Sequence, residues 1–357
     1  MNRTEFLRTM AALSVIASGS GRALAQGAAK PAPAPGANAK SKPKPEPGAA
    51  RAKPEVKIDY PTRTVRLIVP FAPGGGTDVV ARLLAQQMSD NLRKQFVIEN
   101  RSGAGGTIGT DVVAKAAPDG YTLLFAPSSH VVNPGIYPKL PYDTEKDFEP
   151  ISMVASVAIL LAVNSDVPAG DLKEFVALAK RPGNKFSNYG SAGNGTVFHL
   201  LTEQFKKAAG IELQHIPYRG GAPAVGALVT KEVPILFETA ITLQPFTTAG
   251  NAKALAIASK TRSPIFPDVP TVVEQGMPQL VASNDYALYA PAGTPQPVIR
   301  KLHAEIVKAL GATHVKAIFY VQATTAVGST PEQLRSYVSA EIKRWSTIAR
   351  EAGIKVS

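Results

Sequence analysis

From Tyr60 onward, short apolar runs alternate with amphipathic stretches of helical period, and this pattern predicts an α/β fold. The first unit combines a predicted strand at Thr64–Phe71 with a predicted helix at Asp78–Leu92, and a similar block begins after Asp166. Further strands are predicted at Phe96–Asn100, Tyr121–Ala126, Lys185–Tyr189, Leu213–Pro217, Val233–Glu238, Ala254–Ser259 and Asp285–Ala290, and further helices at Thr110–Ala117, Leu172–Lys180, Val197–Ala209, Pro297–Gly311, Val315–Tyr320 and Pro331–Gly353.

Glycine-rich turns follow several of these predicted strands. The turn Gly74–Gly76 ends the first strand, and Thr77-Asp78 then has the character of a helix N-cap. Two more such turns lie at Arg101–Gly109 and Gly190–Thr196. A strand, a glycine turn and a helix start present bare backbone N–H groups and the positive end of the helix dipole, which favours an anion. Because ligands of open α/β sheets bind at the carboxyl ends of strands, these turns are the candidate site.

The turn Gly74–Gly76 by itself leaves its ligand open. A dinucleotide site requires G-x-G-x-x-G, but Val79 occupies the third glycine position. A phosphate-binding P-loop requires Gly-Lys-Ser or Gly-Lys-Thr, which the chain lacks. A tight turn that uses glycine only for its backbone conformation, with no ligand, remains an equal alternative at this point.

Residues 1–25 have the pattern of a secretory signal. Arg3 and Arg8 give a positive start, Met10–Ala17 is a short apolar core, and Ala23-Leu24-Ala25 fits a cleavage site. The absence of an Arg-Arg pair favours the general secretion route. A frayed N-terminal helix is the alternative. The sequence therefore predicts an exported, periplasmic protein, and no later stretch is long and apolar enough to span a membrane.

Residues 26–57 are rich in Ala, Pro and Lys and have too few large apolar residues to pack, which predicts a disordered spacer. This segment carries much of the net charge of +12. The rest of the chain has no basic cluster interleaved with aromatic residues, which argues against nucleic acid and is compatible with small anionic ligands. The chain has no cysteine, which excludes disulfides, thiol catalysis and a lipidated cysteine.

Several motifs together resemble one family. In chain order they are PFAPGGGTDVVAR (Pro70–Arg82), VIENRSGAGGTIGTDVVAKAAPDGYTLLF (Val97–Phe125), YGSAGNGTVFHL (Tyr189–Leu200), HIPYRGGAPAV (His215–Val225) and PDVPTVVEQG (Pro267–Gly276). They are similar to the Bug/TctC-type proteins, the periplasmic solute-binding receptors of tripartite tricarboxylate transporters. The resemblance covers about residues 60 to 355, and its specificity comes from five motifs in the right order.

The resemblance implies a two-domain clamshell of the periplasmic-binding-protein type, with the ligand in the cleft between domains. Domain 1 would comprise residues 58–162 and 284–357, and domain 2 residues 163–283, with a hinge near Ala162 and Ser283. It also implies a small organic carboxylate as ligand, the membrane subunits of such a transporter as partners, a monomer, and no cofactor or metal.

The family holds carboxylates largely through backbone N–H groups and ordered waters of two facing turns. Carried over to this chain, the first turn is Phe71–Asp78, the second is Gly190–Thr196, and Ser128-Ser129 and Tyr218-Arg219-Gly220 match further cleft segments. With two acidic residues considered next, the expected ligand contacts are Phe71, Gly74, Gly75, Gly76, Thr77, Asp78, Ser128, Ser129, Gly190, Ser191, Ala192, Gly193, Asn194, Thr196, Tyr218, Arg219, Glu238 and Asp285. Valine at Gly75 or Gly193 is expected to abolish binding without unfolding the protein.

Two acidic positions depart from the family pattern. Glu238 stands where Asp is commoner, and Asp285 precedes Tyr286 where the family often has Trp. Both are expected to influence which acid is bound, although Glu238 could equally serve only to end its strand. Arg219 could pair with a ligand carboxylate or remain a surface charge, and Thr77 and Asp78 could simply cap their helix.

Other side chains offer little chemistry. His130, His199 and His215 are expected to pack or cap, because no pair has a recognised metal-ligand spacing. Ser191 lies in Gly-Ser-Ala-Gly, outside the G-x-S-x-G nucleophile pattern, and the sequence identifies no base for it. The leading hypothesis is therefore a receptor without enzymatic activity. The alternatives are a ligand sensor for a membrane histidine kinase and, less favoured, a periplasmic hydrolase.

Overall fold

Ten strands and ten helices form the part of the chain that the computed structural model describes, residues 58–351, 353 and 354. The predicted signal segment 1–25 and the linker 26–57 lie outside the described residues. The strands are β1 (Val65–Val69), β2 (Phe96–Asn100), β3 (Thr122–Ala126), β4 (Phe148–Asn164), β5 (Asn188–Ser191), β6 (Gln214–Pro217), β7 (Ile235–Thr239), β8 (Ala252–Ile257), β9 (Ser283–Pro291) and β10 (Thr324–Ala326). The helices are α1 (Gly76–Leu92), α2 (Thr107–Ala114), α3 (Ser129–Val132), α4 (Leu172–Ala179), α5 (Val197–Ala209), α6 (Gly221–Val229), α7 (Ala240–Thr248), α8 (Gln296–Gly311), α9 (Thr313–Val321) and α10 (Pro331–Glu351).

The strands form one continuous path in the order β2-β1-β3-β9-β4-β7-β5-β6, and β8 and β10 also pair with β4. Strands β1, β2 and β3 are parallel, as are β5, β6 and β7, while β4 and β9 run antiparallel to their neighbours. Each parallel group is connected through helices, as expected for strand–helix–strand crossovers. The α/β prediction is therefore confirmed.

Strand β4 joins the two parallel groups and changes partners along its length. Its residues 148–158 pair with β9, and residues 159–164 pair with β7 and β8. The exchange falls between Ala158 and Ile159, and the pairing with β9 ends at Ser283. The chain therefore crosses between the two halves of the sheet at β4 and near the start of β9.

Helices cover both faces of the first half of the sheet, because successive strand residues point to opposite sides. Leu67 packs in a buried cluster with side chains of α1 and α8, whereas the adjacent Ile68 packs in another cluster with side chains of α2, α3 and α10. The second half repeats this arrangement, with Phe237 in the cluster that contains α5 and Leu236 in the cluster that contains α6 and α7. Both halves are therefore three-layer sandwiches.

Local signals explain several helix ends. The Asp171 carboxylate accepts a hydrogen bond of 2.8 Å from the Glu174 N–H and caps α4. Thr196 caps α5 in the same way, and Gly210 ends that helix in the left-handed conformation that glycine adopts readily. The predicted bounds of α1 and α5 agree with the structure to within two residues.

Candidate functional site

An inner cavity of about 350 Å³ lies where the first turns of three helices converge. Gly76 and Thr77 begin α1, Val197 and Phe198 begin α5, and Gly221 begins α6. The other lining residues are Phe71, Gly75, Pro127, Ser129, Ala192, Thr196, Glu238, Asn284 and Tyr286. The first N–H groups of a helix have no partner within the helix. In the described part of the chain, the backbone N–H groups of these five first-turn residues donate no hydrogen bond. The cavity therefore offers donors and three positive helix ends to an anion.

The start of α1 is anchored from behind by Asp78. Its carboxylate accepts hydrogen bonds of 3.0 Å from the Gly74 N–H, 2.8 Å from Arg82 Nε and 2.9 Å from Asn100 Nδ2. Burial alone would raise the pKa of Asp78, but the bonds from Arg82, Gly74 and Asn100 together lower it. Asp78 is thus an ionised support for the turn and does not line the cavity.

Glycine is required at two cavity positions because neighbouring side chains come very close. A Cβ atom on Gly76 would lie 2.5 Å from the Tyr286 hydroxyl and 2.7 Å from Thr239 Oγ1. On Gly221 it would lie 2.6 Å from Glu238 Oε2. The polar atoms of three strand residues thus approach the helix backbones directly.

Glu238 is the one ionisable carboxyl in the cavity lining, and it is only 2% exposed. Its Oε1 accepts hydrogen bonds from the Thr239 N–H at 2.8 Å and from Thr239 Oγ1 at 3.0 Å. Within the described part of the chain, Oε2 has no hydrogen-bond partner. Burial raises the pKa of Glu238 to about 7, against the lowering effect of the Thr239 bonds.

An outer cavity of about 480 Å³ adjoins the inner one, and Phe71 and Ala192 line both. Its other walls are the segments 103–106, 193–194 and 217–219. The exposed Arg219 side chain lies here, and its backbone oxygen accepts a 3.1 Å hydrogen bond from the Ala72 N–H. This bond joins the turn before α1 to the turn before α6 across the cavities.

The turn before α5 is held by aromatic and hydroxyl groups. Ser191 Oγ lies 2.6 Å from His215 Nε2 and accepts a 3.1 Å bond from the Gly193 N–H. The rings of His215 and His199 stack with centroids 4.2 Å apart, and His199 Nδ1 accepts a 3.4 Å bond from the Gly195 N–H. These contacts fix the turn behind the cavities.

The pair of Ser191 and His215 is the hydroxyl and base that the sequence did not connect. Ser191 is fully buried and lines neither cavity. Burial, with the charges of His199 and Lys206, lowers the pKa of His215 to about 3, so the ring stays neutral. A serine that is bonded to its own turn and shielded from both cavities supports the fold of the turn and is not placed for nucleophilic chemistry.

The structure brings together most of the residues expected to contact a ligand. Those in the inner cavity are Phe71, Gly75, Gly76, Thr77, Ser129, Ala192, Thr196 and Glu238. Those that line only the outer cavity are Gly193, Asn194, Tyr218 and Arg219. Those that line neither are Gly74, Asp78, Ser128, Gly190, Ser191 and Asp285.

Asp285 departs most clearly from the expected arrangement, because it lines neither cavity. Its carboxylate accepts bonds from Ser156 at 2.5 Å, from Ser283 at 2.8 Å and from the Tyr337 hydroxyl at 2.6 Å. Side chains alternate along β9, so Asn284 and Tyr286 line the cavity while Asp285 points to the opposite face.

Ser128 is displaced from the cavity for a related reason. Its Oγ accepts a 2.8 Å bond from the Asp285 N–H, and its own N–H donates to Asn284 Oδ1 at 3.3 Å. It therefore ties the end of β3 to β9 instead of facing a ligand. Asn284, Tyr286 and Gly221 line the inner cavity but were not expected from the sequence, and neither were Pro127, Val197 and Phe198. The only signal for the first two was their alternation with Asp285.

Comparison with known proteins identifies the family of the chain. A family profile described as tripartite tricarboxylate transporter family receptor, TctC, matches residues 80–354. The chain belongs to the TctC family. Protein BugT of Bordetella pertussis strain Tohama I is 41% identical over 311 residues, which is 86% of this chain and 95% of that protein.

Several solved structures are similar to this chain in sequence and fold. The periplasmic binding protein BugD is 34% identical with a TM-score of 0.80, over 83% of this chain and 99% of that one. Rpa4515 of R. palustris, solved with adipate, is 33% identical with a TM-score of 0.80 over the same shares. MatC of Rhodopseudomonas palustris, solved with malate, is 33% identical with a TM-score of 0.77, over 81% of this chain and 99% of that one.

These matches confirm the predicted family and the periplasmic-binding-protein clamshell fold. The chain is thus a solute-binding receptor of a family of periplasmic binding proteins and not an enzyme, and the hydrolase alternative is dropped. Within the described residues, no helix has both the length and the apolar character needed to cross a bilayer.

Proposed function

We propose that this TctC receptor captures a small organic carboxylate in the inner cavity and delivers it to the membrane subunits of a tripartite tricarboxylate transporter. The observation that carries the proposal is the convergence of the first turns of α1, α5 and α6 on one cavity whose lining contains no Lys or Arg. Backbone N–H groups and helix dipoles suit a carboxylate without a basic side chain. The adipate and malate in two related structures support the same ligand class.

The dimensions of the site favour a small ligand. The inner cavity is confined, because the first turns of three helices and the aromatic residues Phe71, Phe198 and Tyr286 line it. The outer cavity adds room for a longer chain, and Arg219 at its edge is available to a second acidic group. A dicarboxylate can therefore place one end against the helix starts and the other toward Arg219.

We further propose that residues 58–162 with 284–357 and residues 163–283 are separate domains that close on the ligand. The exchange of partners in β4 between Ala158 and Ile159 supports this division, although it falls four residues before the expected hinge at Ala162. The bond from the Ala72 N–H to the Arg219 oxygen would hold the closed form. A closed monomer, exported by the signal at residues 1–25, would be the form recognised by the transporter.

The first experiment is a thermal-shift and calorimetric screen of the purified receptor. The panel is succinate, malate, adipate, citrate and benzoate, with a sugar and an organic cation as comparison ligands. We expect saturable binding of at least one carboxylate and none of the comparison ligands. Saturable binding of only the sugar or the cation would refute the proposal. Mass spectrometry of ligand that co-purifies with the receptor would identify the physiological acid.

Transport is tested separately by deleting the gene for the receptor in its native host. We expect uptake of the radiolabelled acid from the screen to fall to background and to return when the gene is restored. The matched control restores a Gly75→Val variant, which should not rescue uptake. Unchanged uptake in the deletion strain would refute the transport role while leaving carboxylate binding intact.

A further inference from the structure

One of the two carboxyl oxygens of Glu238 has no hydrogen-bond partner within the described residues. Its Oε2 atom accepts no hydrogen bond within the described residues, although the side chain is almost fully buried and lines the inner cavity. A buried polar atom normally has a partner, and an atom left unpaired beside a cavity points to a ligand that completes the pairing. The inference that follows rests on the proposed function, since it concerns the acid bound in this cavity.

The charges around Glu238 offer no cation to neutralise it. The residues lining the cavity include no Lys, Arg or His. The other titratable side chain in the lining is the Tyr286 phenol on β9, whose pKa is raised by burial and by Glu238. On α1, the Asp78 carboxylate is bonded to Arg82 and faces away, and on α5 the His199 ring bonds the Gly195 N–H. An ionised Glu238 would therefore meet a bound carboxylate with an uncompensated like charge.

The positive helix ends do not remove this conflict, because one set of donors would serve two anions. Two carboxyl groups that share a buried site resolve their repulsion when one of them keeps its proton. The ligand carboxylate is then held by the first-turn N–H groups, and the protonated oxygen of Glu238 donates a hydrogen bond to it. Oε1 remains the acceptor for Thr239, so Oε2 is the atom free to carry the proton.

We propose that Glu238 binds the ligand as a neutral carboxylic acid, so that a receptor whose Glu238 is ionised takes up one proton from solvent together with each carboxylate. No covalent bond changes. The proton moves from water to Glu238 Oε2 when the cavity closes, and returns to water when the ligand leaves. The inner cavity is thus a site for a carboxylate and a proton together, and its affinity depends on pH through one residue.

The test is calorimetry of the carboxylate from the panel of succinate, malate, adipate, citrate and benzoate that binds most tightly. Titrations at pH 8 in buffers of different ionisation enthalpy give the number of protons taken up. Because burial raises the pKa of Glu238 to about 7 in this structure, we expect proton uptake that is small at pH 5.5 and approaches one proton as the pH rises above 8. The Kd should rise with pH above the pKa of Glu238, approaching a tenfold increase per pH unit.

Two variants separate Glu238 from other groups. Glu238→Gln keeps the shape, the acceptor for Thr239 and a donor for the ligand, so it imitates the neutral acid and its Kd at pH 6 is the reference for its Kd at higher pH. It should take up no proton and show no rise in Kd from pH 6 to 9. Glu305 on α8 is another buried glutamate whose Oε2 has no partner within the described residues. Glu305→Gln is therefore the matched control and should keep the wild-type proton uptake. Thermal unfolding checks that both variants fold.

Each contrary result has a distinct meaning. Carboxylate binding without proton uptake, or uptake that persists in Glu238→Gln, overturns this inference and leaves the proposed function standing. Loss of binding in a folded Glu238→Gln, with a pH-independent wild type, also overturns it and indicates that Glu238 binds the ligand in its ionised form. Failure of every carboxylate in the panel overturns the proposed function and this inference with it.

Discussion

Replacing Gly75 with valine is the most direct test of a backbone anion site. Gly75 is the N-cap of α1 with φ −79° and ψ 168°, a conformation that every residue type can adopt. A Cβ atom there would lie 3.5 Å from the N atoms of both Gly221 and Ala222, which is ordinary contact. The two γ-methyl groups of valine would extend beyond this point and cover those N–H groups.

The expected loss follows from the donors that are covered. A hydrogen bond to a charged group contributes about 1.5–3 kcal/mol, so losing two of them costs about 3–6 kcal/mol of binding free energy. This corresponds to a Kd higher by about 10²- to 10⁴-fold. Folding should change little, because removing glycine restricts the unfolded chain by about 0.4–1 kcal/mol while valine is a poorer N-cap by about the same amount.

Calorimetry with the tightest acid of the panel measures the Kd, and thermal unfolding measures stability. Gly226→Val is the matched control, because it lies within α6 and its Cβ would meet nothing within 4 Å. It should bind as the wild type does. Gly193→Val is a poorer test than the sequence suggested, since Gly193 has φ +130° and its Cβ would lie 3.1 Å from the Tyr218 oxygen. A folded Gly75→Val that binds within threefold of wild type would refute the backbone site.

Three other changes test buried contacts of the fold. Gly76→Ala should destabilise the fold by about 1–3 kcal/mol and weaken binding, because its Cβ would lie 2.5 Å from the Tyr286 hydroxyl. Adding Tyr286→Phe should restore part of the stability measured by urea unfolding, which would confirm the contact. Asp285→Asn should lower the free energy of unfolding by about 1–3 kcal/mol, because it weakens the hydrogen bond from the Tyr337 hydroxyl, but it should leave the Kd unchanged. A changed Kd in a normally folded variant would contradict the placement of Asp285 away from the cavity. Burial lowers the pKa of His130 to about 3. Below about pH 6.5 the His130 side chain therefore binds a proton in the unfolded chain but not in the folded one. The free energy of unfolding should fall by roughly 1.4 kcal/mol per pH unit from pH 6.5 down to the folded pKa. In His130→Phe the pH dependence of urea unfolding between pH 7 and 4.5 should be shallower, and an unchanged slope would contradict this.

The elements with a clear period and a clear end signal were predictable from the sequence. Helix α1 follows a glycine turn and has one apolar face, and α5 begins at a threonine cap and ends at Gly210. A crossover strand was expected near Ala162, but the bounds of β4 were not predicted, because a long apolar run such as residues 148–164 does not distinguish a strand from a buried helix. Helix α7 was missed because Pro245 lies inside it, and proline usually breaks a helix.

The candidate site was predictable where the backbone forms it and not where facing side chains enter it. A glycine turn before a helix signals its own donors, so Gly75 and Gly76 were found from local sequence alone. Which face of β9 meets the cavity depends on the register of the whole sheet, and a shift by one residue exchanges Asp285 for Asn284 or Tyr286. The approach of Glu238 to Gly221 is likewise set by the packing of α6 on β7, which local patterns do not encode.

The division between backbone and side chains also bears on specificity. First-turn N–H groups are present in any sequence that forms these helices, so they favour anions as a class without distinguishing among them. Discrimination must then come from the few side chains that enter the inner cavity. Among these, Glu238 is the one that changes charge near neutral pH. A receptor that keeps the shared backbone site can therefore change its preferred acid, or its dependence on pH, through this single position.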